Sequence, residues 1–267
     1  MSGLNDTVLS LLGAEVLRTR PLHGGDLSDV QLLSLSDGRC VVAKTGPLAA
    51  AEAAMLRAIR DAGAPAPEVL GTAGQVLLME ALEETGATSN GWQALGQSLR
   101  QLHSATGPHY GWAEDYAFGP VAIPNALLAD WVEFWTSRRL LAAPDALPRD
   151  LRARIEALCA RLPELLSATP PAALLHGDLW SGNVLFSGPQ AFLIDPACYY
   201  GDAEVDLAML NLFGAPPAVF HDAYGALEPG FEARRAIYQL WPALVHLRLF
   251  GASYRSMVAA RLDALGF

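Results

Sequence analysis

The sequence predicts an α+β chain of two lobes, a small β-rich N-terminal lobe over residues 1–82 and a larger, mainly helical C-terminal lobe over residues 83–267. Three observations predict it. Short apolar runs separated by turn signals crowd the first third of the chain, whereas apolar residues at helical spacing dominate the rest. Between the two parts lies an acidic, glycine-containing stretch, residues 83–90, that reads as a linker. In the second part, the polar string His176-Gly-Asp-Leu-Trp-Ser-Gly-Asn183 interrupts apolar sequence and is followed, after a short hairpin, by Asp195.

Taken in order, residues 6–12 read as a short helix and 14–20 as a first strand. The string Leu22-His-Gly-Gly-Asp-Leu-Ser-Asp29 places Gly24 and Gly25 in a hairpin turn whose backbone can approach a ligand closely. Strands follow at 30–35 and, past the Asp37-Gly38 turn, at 39–44. Residues 47–61 form an alanine-rich helix with Pro47 near its first turn, closed by Gly63 and two prolines. Short strands at 68–70 and 75–79 complete the first lobe, and a hinge is expected at 79–83. A helix at 92–104 carries Leu95, Leu99 and Leu102 on one face, and His103 at its end reads as a capping or packing residue ahead of a catalytic one. A loop rich in Gly, Pro and aromatics covers 107–124, and Asn125 starts a helix containing Asp130-Trp-Val-Glu-Phe-Trp135. A leucine-faced helix spans 148–167. Brief strands at 172–175, 184–186 and 191–194 bracket the polar string, and 203–213, 217–226 and 231–265 read as largely helical.

Composition narrows the classes. Hydrophobic residues at 52% and charged ones at 17% describe a globular chain, and 267 residues suffice for two lobes with real cores. A net charge of −10 argues against a nucleic-acid surface or an anionic membrane as partner. A nucleotide is still admissible, because a bound cation can supply positive charge locally. Cys40, Cys159 and Cys198 are odd in number and scattered, as expected of reduced, mostly buried thiols in a cytoplasmic protein. The first residues lack the basic start and long apolar core of a signal peptide, and no apolar run is long enough to span a bilayer.

The polar string points to phosphoryl transfer. An Asp on a loop, an Asn five residues later and a second Asp beyond a hairpin is the arrangement in which the first Asp receives a hydroxyl proton. Asn183 and Asp195 would then hold magnesium against the phosphates of ATP, and oxygen ligands of this kind suit a hard cation. The chain contains seventeen arginines and one lysine, Lys44, which ends the strand run Cys40-Val-Val-Ala-Lys44. That position suits a lysine contacting the α and β phosphates, with Glu52 on the next helix as its partner. Backbone groups at Glu80, Ala81 and Leu82, at the expected hinge, would be free to bind adenine.

These stretches resemble the fructosamine kinase (ketosamine-3-kinase) family, a branch of the protein-kinase-like fold that includes aminoglycoside phosphotransferases and choline kinases. The likeness is carried by His176-Gly-Asp-Leu-Trp-Ser-Gly-Asn183, by Asp195-Pro-Ala-Cys-Tyr-Tyr-Gly-Asp202 with Glu204-Val-Asp-Leu-Ala-Met209, by Leu212-Phe-Gly214 and by His246-Leu-Arg-Leu-Phe-Gly251. With Gly24, Gly25, Lys44 and Glu52 it extends over nearly the whole chain, and Trp180 and the Tyr-Tyr-Gly-Asp run separate it from related kinases. The resemblance implies Asp178 as catalytic residue, Asn183 and Asp195 as metal ligands, and Lys44 with Glu52 as the phosphate-binding pair. It also implies that Asp206 and His176 support the catalytic loop, and that Trp180 borders the sugar pocket, stacking on the sugar or wedging the loop. The implied reaction is ATP- and magnesium-dependent phosphorylation of the 3-hydroxyl of a ketosamine on a free amine or a protein lysine, leading to deglycation. Val121-Ala-Ile-Pro-Asn-Ala-Leu-Leu128 is less polar than the corresponding family segment, which bears on substrate preference. A kinase for an aminoglycoside or amino alcohol, and a non-catalytic nucleotide-binding module, are the alternatives. The sequence leaves monomer or dimer open.

Overall fold

A computed structural model describes residues 2–22 and 29–267. Helix α1 (Ser2–Leu12) precedes strands β1 (Val16–Pro21), β2 (Asp29–Leu35) and β3 (Cys40–Thr45). Helix α2 (Ala49–Asp61) then leads to β4 (Val69–Ala73) and β5 (Val76–Glu80). The strands form one antiparallel sheet in the order β1-β2-β3-β5-β4, which makes β3 the central strand. Alternation decides which faces are covered. Leu33, Leu35, Val41, Ala43 and Leu78 point to one side and are sealed by Val8 of α1. Leu77 and Met79 point to the other and pack on Met55, Leu56 and Ile59 of α2.

After an irregular stretch the chain enters α3 (Ser89–Ser104), capped by the Thr88 side chain on the Gly91 amide. There follow a small hairpin, β6 (Tyr116–Phe118) with β7 (Val121–Ile123), a short helix α4 (Trp131–Phe134) widening into a π-turn (Trp135–Leu140), and α5 (Arg149–Leu165). The expected loop at 107–124 thus contains a hairpin, which three-residue strands are too short to announce by periodicity. Asn125 does not start a helix: it is buried, its side chain accepting from Arg139 and donating to the Glu114 carbonyl, and Asp130 is the N-cap of α4 instead. Strand β8 (Ala173–Leu175) pairs with β11 (Tyr199–Gly201), and β9 (Val184–Ser187) pairs with β10 (Gln190–Leu193), so the polar string lies between two small ladders. Helices α6 (Glu204–Leu210), α7 (Ala218–Tyr224), α8 (Phe231–Phe250) and α9 (Arg255–Ala264) finish the chain, with a 3-10 turn at Gly251–Tyr254 interrupting the helix expected over 231–265.

Three cores result. One lies under α1, a second is confined to the helical region around Trp131, Trp135, Ile155, Tyr238 and Leu244, and the third runs between the lobes. That shared core contains Met55 and Ile59 of α2 together with Leu99, Leu179, Val184 and Leu193, so the helix carrying Glu52 and the hairpin after the polar string belong to one packed cluster. The thiols depart from expectation: Cys198 is buried, Cys159 is half-buried and Cys40 is exposed at the start of β3. None of the described helices is long and apolar enough to cross a membrane.

Candidate active site

The polar string is held by backbone geometry at its start. Leu175 pairs with Tyr199, and the chain then turns at Gly177 with φ 81°, where a Cβ would lie 2.0 Å from the Ala197 carbonyl oxygen. Only glycine fits a left-handed turn this close to another backbone. Asp206, fully buried on α6, accepts hydrogen bonds from the amides of His176 (2.7 Å) and Gly177 (2.9 Å). His103 Nε2 lies 3.2 Å from the same carboxylate, and Tyr224 Oη lies 2.9 Å from His103 Nδ1. Burial pushes the Asp206 carboxyl up, but these hydrogen bonds and the neighbouring imidazoles outweigh it and hold it below the ordinary range. His176, also fully buried, places Nε2 2.9 Å from the Ile194 carbonyl, and Nδ1 accepts from the Asp178 amide at 3.3 Å. Its burial lowers the imidazole pKa and keeps the ring neutral, as an Nε2 donor and Nδ1 acceptor require.

These bonds fix Asp178 at the floor of a cleft of about 640 Å³. Asn183 Nδ2 donates to the Asp178 carbonyl (2.8 Å) and to its carboxylate (3.0 Å), which ties the two ends of the loop together. Burial raises the Asp178 carboxyl to about 7, opposed by the Asn183 bond and reinforced by Asp195 and Asp206. A carboxylate poised near neutrality can take a hydroxyl proton.

Asp195 enters from the end of the hairpin with φ 54°, the one left-handed non-glycine among the described residues. Such a conformation costs of order 1–3 kcal/mol and persists where the surroundings over-determine it. Here it aims the carboxylate across the lobes: Lys44 Nζ donates to Asp195 Oδ1 and to Glu52 Oε1, both at 2.8 Å. Lys44 lies on β3 between Val30 and Leu77, and Glu52 is in the first turn of α2. Burial alone would lower the Lys44 pKa, but the two carboxylates outweigh it and raise it, so the ammonium is retained. Glu52 is pushed up by burial against the pull of Lys44.

With Nδ2 of Asn183 committed to Asp178, its carboxamide oxygen faces no protein donor among the described residues, and Asp195 keeps one oxygen beyond the Lys44 bond. This oxygen pair suits a hard divalent cation. Among the described residues no cluster of three His, Cys, Asp or Glu groups competes with it.

Other expected residues lie elsewhere. Glu80, Ala81 and Leu82 are half-buried where β5 ends and do not line the cleft, although among the described residues the amides of Ala81 and Leu82 find no acceptor. Gly24 and Gly25 lie outside the described residues. Trp180 does line the cleft, its ring lying over Gly182, where a Cβ would fall 2.2 Å from the indole. The glycine two positions on is therefore what lets the indole lie flat on the loop.

The far wall of the cleft was not read from sequence. It consists of Phe213, His246, Phe250 and Tyr254, meeting Trp180 through Phe213 at a centroid distance of 6.0 Å. Tyr116 and Phe118, from the hairpin read as a loop, also line the cavity. Burial, with the carboxylates of Glu52, Asp195 and Asp178, raises the Tyr116 phenol far above its ordinary value and keeps it a neutral hydroxyl. The available signal was the four-residue spacing of His246, Phe250 and Tyr254.

Residues 10–265 match the family model described as fructosamine kinase. The chain belongs to the fructosamine kinase family. It is 37% identical over 246 residues to a probable ketoamine kinase of Thermus thermophilus, covering 88% of each chain. A crystal structure from Thermobifida fusca described as a "putative fructosamine-3-kinase" superposes with a TM-score of 0.91 at 32% identity, covering 99% of both chains. An aminoglycoside phosphotransferase shares the protein-kinase-like fold at a TM-score of 0.68 and 16% identity, over 98% of this chain and 97% of its own. Membership in the fructosamine kinase family makes the chain a phosphotransferase by class, with the expected bilobal α+β fold.

Proposed function

We propose that this chain transfers the γ-phosphoryl group of ATP to the 3-hydroxyl of a ketosamine. The observation that carries the reading is the junction at Lys44: one buried ammonium bonded at 2.8 Å to Glu52 of the first lobe and to Asp195 of the second, opening onto Asp178 and an aromatic cavity. Residues 1–82 would serve as the nucleotide lobe and residues 83–267 as the lobe that takes the acceptor. Glu80, Ala81 and Leu82 would meet adenine, Gly24 and Gly25 would cover the phosphates, and Trp180 would face the sugar.

In this reading Lys44 neutralises the α and β phosphates, held by Glu52 while Asp195 turns toward a cation. Asn183 and Asp195 would hold magnesium, which supplies charge neutralisation on the phosphates when bound. Asp178 orients the acceptor hydroxyl in line and accepts its proton at the carboxylate, and Asp206 and His176 keep the loop in place. Positioning of this kind is worth roughly 7–11 kcal/mol of barrier. The product carries phosphate on C3. Loss of a C1 proton gives an enaminol that expels inorganic phosphate, and water then releases the amine from the resulting imine, which completes deglycation without further help from the protein.

The test is phosphate transfer from ATP with magnesium to N-substituted fructosamine, ribulosamine and erythrulosamine, run beside aminoglycosides and choline. Turnover confined to ketosamines is expected. Turnover only on an aminoglycoside or choline, or nucleotide binding with no transfer, would replace the reading by one of those alternatives.

A further inference from the structure

The polar end of the cleft accounts for a nucleotide and a hydroxyl, but it leaves the aromatic wall without a role. Six large hydrophobic side chains are exposed among the described residues, and the three aromatic ones, Trp180, Phe213 and Phe250, all line this one cavity. An exposed apolar cluster of this kind marks a binding surface. The rings form a continuous chain. His246 lies 5.2 Å from Phe213, 5.6 Å from Phe250 and 5.0 Å from Tyr254, centroid to centroid, and Trp180 adjoins Phe213. The acidic side chains in the lining, Glu52, Asp178 and Asp195, all belong to the phosphate end.

The tautomer of His246 adds polarity to this wall. Its Nδ1 lies 2.8 Å from the Pro242 carbonyl, which can only accept, so Nδ1 carries the hydrogen. In the neutral ring Nε2 then presents a lone pair, and among the described residues it has no partner. The wall therefore offers electron-rich ring faces and one hydrogen-bond acceptor, and no carboxylate. That set fits a small organic cation bearing an N–H.

Resting on the kinase reading, we propose that this wall recognises the amine-bearing half of the acceptor. The secondary ammonium of a ketosamine packs against the rings of Trp180, Phe213, Phe250 and Tyr254 and donates an N–H to His246 Nε2. In a ketosamine the nitrogen on C1 is three bonds from C3, and Asp178 and Trp180 line the same cavity, so a sugar bound with its C3 hydroxyl on Asp178 and its C1 end toward Trp180 brings its nitrogen to the wall. The substituent on nitrogen leaves through the exposed side at Phe213 and Phe250, which leaves room for a free amine or a lysine chain.

The experiment compares N-butyl-1-amino-1-deoxyfructose with its ether isostere, 1-O-butylfructose, as acceptors with ATP and magnesium, and measures the affinity of each by calorimetry. Cation–π and hydrogen-bond recognition together predict that the wild-type chain favours the amine by about tenfold or more, mainly in KM and Kd. His246→Ala and Phe250→Leu should each shrink that ratio to about threefold or less, and His246→Gln, which keeps an acceptor, should retain part of it. The ratio is taken on one protein sample, so partial loss of folded protein cancels. Equal handling of amine and ether by the wild type, or an unchanged ratio in every variant, would overturn the proposal and leave the kinase reading standing. Transfer to neither acceptor, with ATP still bound, would overturn the kinase reading and this proposal with it.

Discussion

At the Lys44 end of the cleft the buried polar groups are each partnered: Lys44 faces Glu52 and Asp195, Asp178 takes the Asn183 amide, and Asp206 takes two backbone amides and an imidazole. At the aromatic end, rings tilt against one another at 5.0–6.0 Å around a single histidine, open to solvent. The charged end is stiff because a buried charge that loses its partner is costly, so its geometry tolerates little variation. The aromatic end is held by dispersion and edge-to-face contacts, each worth about 0.5–1.5 kcal/mol, and can be reshaped residue by residue. The first end suits a constant co-substrate, and the second suits an acceptor that differs among related kinases.

Substitutions can break this contrast, and the largest effect belongs to Asp178. Asp178→Asn should cut kcat by about 10²–10⁴ while nucleotide affinity stays close to wild type, measured by turnover and by calorimetry with an ATP analogue. Retention of more than a tenth of kcat would remove Asp178 from the proton-accepting role. Next comes Lys44→Met, which leaves Glu52 buried without its counter-charge. About 3–5 kcal/mol of stability should be lost together with ATP affinity, seen in denaturant melts and nucleotide titration. Unchanged stability would mean that Glu52 is protonated or rehydrated at no cost. Asp206→Ala should cost about 1–3 kcal/mol, because the His176 and Gly177 amides lose their acceptor, and should lower kcat more than it weakens ATP binding.

A pH series gives a smaller, continuous effect. Burial raises the Asp178 carboxyl from 3.8 to about 7, so in the proposed role it would be protonated and unable to act as a base below neutrality. kcat/KM should therefore rise with pH and level off above about 7. The same shift enters stability with the opposite sign. The raised pKa stabilises the fold fully below pH 3.8, and that contribution is lost as pH rises through about 7. Asp178→Asn removes this loss, so its Tm advantage over wild type should grow between those limits. A constant difference across the series would show that Asp178 does not titrate there. The smallest effect is expected at the aromatic end: Phe213→Ala should raise the acceptor KM by about three- to tenfold, with the KM for ATP moving far less. Equal changes in both would erase the distinction between the two ends.

How legible each end was follows from how it is encoded. Asp178, Asn183 and Asp195 sit within one short segment, and a loop and hairpin of that length can bring their side chains together without knowledge of the rest of the chain. Lys44 stood out because it is the only lysine in 267 residues, and Glu52 because a helix follows at once. The aromatic wall draws on Trp180, Phe213 and the 246–254 stretch, and the hairpin bearing Tyr116 was hidden in a segment rich in turn-forming residues. Periodicity reports which face of an element is apolar and is silent on which distant face it meets. The same limit explains Asn125, read as a helix start: its ties to Arg139 and to the Glu114 carbonyl are tertiary.

The sequence by itself determined the two-lobed α+β class, most of its longer elements and the residue types that phosphoryl transfer would need, because helix period, strand alternation and turn chemistry are local. Only the tertiary structure decided that Lys44 reaches Asp195 as well as Glu52, that His103 of α3 backs Asp206 of α6 behind the loop, and that rings from four segments line one cavity. Those contacts join residues up to 151 positions apart, at distances that burial and hydrogen-bond satisfaction impose on the assembled fold.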